Sequence, residues 1–130
     1  MQKVRNQWLV IILCVFLALS SSGCVALVAG AVGAGGVLFF KGILEKNYDY
    51  SVAKVYKASV AACKSLDIPI HEKKIDKHNA VIKGITSDGK DVTIEVEALT
   101  ERASKLKIRI GVFGDEEMSH IILTAVENKL

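Results

Sequence analysis

Two periods of apolar and polar residues organise the chain from residue 41 onwards. Over residues 51–66, Val52, Val55, Tyr56, Ser59, Ala62, Cys63 and Leu66 recur at intervals of three and four, so a helix would carry them on one stripe. Asp49 or Ser51 can cap its start, and Pro69 lies beyond its end. Over 115–130, Met118, Ile121, Ile122, Ala125 and Val126 predict a second amphipathic helix. Asp115, Glu116 and Glu117 crowd its first turn, where the helix dipole favours negative charge.

The other period is two. Val92, Ile94, Val96 and Ala98 alternate with Thr93, Glu95 and Glu97. Leu106, Ile108, Ile110 and Val112 alternate with Lys105, Lys107, Arg109 and Gly111. Each run predicts a strand with one apolar and one wet face. Residues 42–48 and 80–86 predict two more strands, and the short, polar 68–75 predicts an edge strand. Asp88-Gly89, inside Ser87-Asp88-Gly89-Lys90, marks a tight hairpin.

The predicted order is β-α-β-β-β-β-α over 41–130. The sheet and both helices each have one apolar side, and stacking both helices on one sheet face buries all three. The expectation is a two-layer α+β domain with a mostly antiparallel sheet, similar to helix-grip domains. The other sheet face stays wet, with Glu95 and Glu97 beside Lys105, Lys107 and Arg109 as the candidate interaction surface. Cross-strand pairs of opposite charge contribute roughly 0.2–1 kcal/mol each. The edge strand 68–75 is a second candidate, because an unpaired edge accepts a partner strand.

The stretch before Lys41 follows a different logic. Lys3 and Arg5 precede an uninterrupted apolar run, Trp8 to Leu19, and small residues follow up to Gly23. The run fits a signal-peptide core and falls short of the roughly 20 residues of a membrane span. Cys24, directly after Gly23, makes the stretch LALSSSGCV resemble the lipobox of bacterial lipoproteins. That resemblance implies cleavage after Gly23 and lipidation of the Cys24 thiol. Ser21 stands where the pattern has an aliphatic residue. Residues 24–40 then form the lipidated cysteine and an apolar, Gly/Ala-rich tether; the alternative for 25–40 is a helix whose small residues pack on another helix in the membrane. Val25 stands where enterobacterial lipoproteins kept in the inner membrane resemble one another in having Asp, so the outer membrane is the expected address, facing the periplasm. The alternative is a signal-anchored inner-membrane protein.

Charge and candidate chemistry change this picture little. The formal net charge is +3. Lys3 and Arg5 account for two of the 17 basic residues, and the remaining 15 stand against 14 acidic ones. The domain is therefore electrically mixed, without the basic stripe that a nucleic acid requires. Cys14, Cys24 and Cys63 have no CxxC spacing. His71, His78 and His120 fall on an edge strand, a turn and a helix, which is no metal-site pattern. Gly111 and Gly114 precede three acids rather than a lysine, so they read as bulge and turn residues, not a phosphate loop. Cys63 lies on the apolar helix stripe as an inert thiol. No metal, no cofactor and no enzymatic activity are expected.

The leader, KGILEKNYDYSVAKVYKA, the hairpin and GVFGDEEMSHIIL together look like the family of short bacterial lipoproteins known as DUF3568. The resemblance spans essentially the whole chain and implies location and fold, not mechanism. The expected function is a lipid-anchored, non-enzymatic envelope protein whose domain contacts another envelope protein. The alternative is a carrier of a small apolar ligand between sheet and helices.

Overall fold

The computed structural model describes residues 2–20 and 36–130. Two compact units result, Met1–Ala34 and Gly35–Leu130. In the first, Gln2–Ser20 forms helix α1, which contains the whole apolar run from Trp8 to Leu19. No helix among the described residues is long and apolar enough to cross a membrane. Gly23 and Cys24 lie outside the described residues.

The second unit runs β1 (Val37–Phe40), β2 (Ile43–Tyr48), α2 (Val52–Ser65), β3 (Ile70–Ile75), β4 (Asn79–Ile85), β5 (Asp91–Ala98), β6 (Ser104–Ile110) and α3 (Glu116–Glu127). The strands form one sheet in the order β1-β2-β6-β5-β4-β3, with every pair antiparallel. It is an α+β fold, and β3 is the edge that its polar sequence predicts.

The core is built as rows across the sheet. Leu44, Ile108, Ile94 and Ile82 stand opposite one another on β2, β6, β5 and β4. Each is at most 1% exposed. A second row contains Leu106, Val96 and Ala80, and a third Ile110 and Val92. From α2, Val55, Ala58, Ala62 and Cys63 join this core, and from α3, Ile122, Leu123 and Val126. Burial at about 25 cal/mol per Å² of apolar surface drives the stacking. Lys46 and Tyr48 of β2 both bond the Glu127 carboxylate, which ties the end of α3 to the sheet. Burial, and then the Glu127 charge, push the Tyr48 hydroxyl well above its ordinary pKa.

The structure corrects the sequence expectations at four places. The sheet gains a strand, because Val37–Phe40 pairs with β2 instead of belonging to the tether. The turn between them consists of Lys41 and Gly42, both at positive φ (50° and 79°), as a tight hairpin of matching twist requires. VLFF is apolar throughout, without alternation, so periodicity gave no sign of it.

The second correction is the rotation of α3. Ser119, Ile122, Leu123 and Val126 are buried, whereas Ile121 is 44% exposed. Ser119 tolerates burial because its hydroxyl donates to the Asp115 carbonyl at 2.6 Å. Third, Val112 is not on the apolar face of β6. The strand ends at Ile110, Gly111 turns the backbone at φ 65°, and Val112 faces solvent. Fourth, the loop between β4 and β5 spans residues 86–90 rather than a tight pair. Thr86 closes it, accepting the Lys90 amide at 2.9 Å on its hydroxyl.

One backbone approach fixes the end of the sheet where β1, β2 and β6 meet. A Cβ on Gly114 would lie 2.2 Å from the Gly42 Cα, and one on Gly42 would lie 2.3 Å from the Phe113 carbonyl oxygen. Only glycine allows the two turns to touch. Gly89, also at positive φ, has open space around it. In urea unfolding, Gly89→Ala should therefore cost only the left-handed backbone penalty, roughly 1–2 kcal/mol. Gly114→Ala should cost distinctly more, because backbone must move as well as twist.

Candidate functional site

The solvent face of the sheet is set by the same registers that build the core. Side chains alternate, so the residues between the buried rows all point away from the helices. Glu95 stands opposite Lys107, Glu97 opposite Lys105, and Thr93 opposite Arg109. On the other side of β6, Glu45 stands opposite Lys107 and Ile43 opposite Arg109. Glu95, Glu97, Lys105, Lys107 and Arg109 thus share one face, as their alternation predicts, and Glu45, Ile43 and Thr93 join them. Nothing in the sequence places Glu45 and Ile43 there, because β2 lies far upstream and only the folded sheet makes it the neighbour of β6.

The ion pairs on this face run diagonally as well as across it. Lys107 Nζ donates to Glu97 at 2.7 Å, and Lys105 lies 3.8 Å from Glu45. The Glu97 bond first, and more weakly the charges of Glu45 and Glu95, raise the Lys107 pKa above its ordinary value. Three acids and three bases therefore balance. Two of them keep capacity for a partner: among the described residues Glu95 and Arg109 form no ion pair. Arg109 uses one guanidinium N–H on the Val112 carbonyl at 2.6 Å. Between them lies a shallow hollow of about 210 Å³, lined by Ile43, Thr93, Glu95, Lys107 and Arg109. An acid, two bases and a hydroxyl surround its aliphatic floor.

The edge β3 is well guarded. A register shift between Ile70 and Glu72 breaks its pairing, and the strand carries lysines, both known devices against edge pairing. Glu72 bonds Lys74 at 2.8 Å and Lys83 at 3.0 Å. These bonds pull its carboxyl down from 4.5 to about 2.

The remaining candidates stay apart. Cys63 is buried on α2, and burial pushes its thiol up to about 11, so it is not a nucleophile at neutral pH. His71, His78 and His120 occupy β3, a turn and α3. Among the described residues no three His, Cys, Asp or Glu side chains converge as metal ligands. Asp115 caps α3 by accepting the Met118 amide at 3.0 Å, and Lys90 bonds it at 2.7 Å. Both contacts, the lysine first, lower its pKa. A ligand carried between sheet and helices would have to displace Val55, Ile82, Ile94 and Ile122, which occupy that space.

Fold and face together define a small α+β domain with one sheet face covered by its helices and one open. The chain belongs to the family DUF3568, described as a protein of unknown function, whose model matches residues 7–129. No curated protein matches it.

The Glu72 bonds give the β3 edge a pH signature. The folded pKa of Glu72 is depressed, so its contribution is present above 4.5 and lost as pH falls towards 2. Denaturation of wild type and Glu72→Gln across that window should show the wild type losing stability more steeply with acid. Equal slopes would mean that the two lysine bonds do not stabilise the edge.

Proposed function

We propose that this chain is a lipid-anchored bacterial envelope protein whose α+β domain is a non-enzymatic interaction module. The observation that carries the reading is the open sheet face, where Glu95 and Arg109 flank the hollow without ionic partners among the described residues. A partner segment with its own acid and base would meet both, and charge complementarity of this kind selects partners more than it adds affinity. The partner class is another envelope protein. The reading is non-enzymatic because Lys107 pairs with Glu97, Lys105 lies beside Glu45, and the hollow between Glu95 and Arg109 is open to water rather than a closed site.

Anchoring is supported by the leader and by Cys24 directly after Gly23. One acyl chain holds a protein only marginally, at about 0.8 kcal/mol per buried methylene, whereas the three chains of a lipoprotein make release negligible. Val25 after the cysteine favours the outer membrane, with the domain in the periplasm.

Two measurements test the parts separately. Globomycin should cause unprocessed precursor to accumulate in expressing cells, and Cys24→Ala should block processing. A Cys24→Ala protein processed like wild type would refute the anchor. For the face, a photocrosslinker at Thr93 should capture an envelope protein in intact cells. Arg109→Glu should reduce the capture by roughly tenfold, as expected for about 1.4 kcal/mol of lost complementarity. Unchanged capture would move the partner to another surface.

A further inference from the structure

The end of the sheet where β1 turns into β2, and where β6 gives way to α3, carries large apolar side chains in water. Phe40 is 62% exposed, Val112 77% and Phe113 93%. Single exposed apolar residues are ordinary, but adjacent ones mark a contact surface. Val112 and Phe113 are neighbours in the chain, and the Lys41–Gly42 turn that follows Phe40 rests on the Phe113–Gly114 backbone, which brings the two segments together. They are also rigidly presented. Arg109 bonds the Val112 carbonyl, and Asp115, capping α3, is held by Lys90.

We propose that this end of the domain, led by Phe113, Val112 and Phe40, inserts into the headgroup–acyl boundary of the bilayer that holds the anchor. The inference rests on the lipid-anchor reading above and adds an orientation to it. The occupant follows from the chain between the two. Only the short segment 25–36 separates Cys24 from Val37. Its contour length is at most about 45 Å, which is the farthest that β1 can stand from a lipidated Cys24. Tethering at that range gives the bilayer a high effective concentration, so three side chains suffice where they would not hold a free protein. Any other partner must compete with a surface that is always present.

The neighbouring charges say which lipid chemistry matters. Lys41 lies with its Nζ 5.3 Å from the Phe40 ring centre, and Arg109 is close behind Val112. Glu116 and Glu117 follow Gly114 and balance them. Insertion is therefore apolar rather than electrostatic. It takes place on neutral lipid and does not weaken with salt. The strands then rise from the membrane, with Phe40 at the rim of the open face, opposite Ile43.

The experiment uses the processed, lipidated chain, purified from bacterial membranes and reconstituted in phosphatidylcholine vesicles. Cleavage after Gly23 removes Trp8, the one native tryptophan. Phe113→Trp then reports on the proposed contact alone, and Leu99→Trp reports on the opposite end of the sheet. Brominated acyl chains should quench and blue-shift the indole at position 113 in low and high salt alike, and leave the one at position 99 unchanged. An unquenched indole at 113 in protein that floats with the vesicles overturns the insertion while the anchor stands. An indole at 113 that is blue-shifted but not quenched means a protein contact instead, and also overturns it. Protein that does not float with the vesicles refutes the anchor, and the insertion falls with it.

Discussion

The fold depends on one constraint: a single sheet face must be kept dry. The row Leu44–Ile108–Ile94–Ile82 crosses four strands that come from four separate parts of the chain. A slip of one residue in any of them would turn its apolar set to water and bring its charges under the helices. The register is therefore fixed by burial rather than by hydrogen bonds, which would be equally well made in a slipped pairing. The two helices exist in their present places for the same reason. Neither is long enough to be stable alone, and each is stabilised by laying its stripe on that row.

The open face is the consequence of the closed one. With both helices on one side, every intervening residue of β2, β4, β5 and β6 points into solvent. Glu97 of β5 and Glu45 of β2 then meet Lys107 and Lys105 of β6, which keeps the face polar. The same registers bring β2 beside β6, so that Glu45 and Ile43 complete a surface that β5 and β6 begin. The apolar end of the sheet has another origin. It arises where regular structure stops, at turns that only glycine can make, and so it is independent of the core pattern.

The legible part of the fold was the part with a period. Strands β5 and β6 alternate strictly, and the structure pairs them with Glu95 opposite Lys107 as their wet faces require. Helix α2 buries Val52, Val55, Ser59, Ala62 and Cys63 from its predicted stripe. The candidate face was legible for the same reason, since Glu95, Glu97, Lys105, Lys107 and Arg109 all lie on those two strands. The misses share a cause. VLFF has no period to read, Val112 continues an alternation past the end of its strand, and α3 offers two stripes that share Ile122 and Val126. In each case local sequence permits both arrangements, and a distant contact chooses.

The sequence by itself determined the α+β class and which strands have a wet face, because those follow from periods of two and 3.6 within short windows. The tertiary structure alone decided that β2 lies between β1 and β6, that α3 turns Leu123 inwards and Ile121 outwards, and that Phe113 stands in water beside the turn that follows Phe40. Those outcomes depend on packing between segments far apart in the chain, such as Lys46 and Tyr48 on Glu127, and on the touch of Gly42 and Gly114. No window of the chain contains both partners of such contacts, so only the folded molecule can select them.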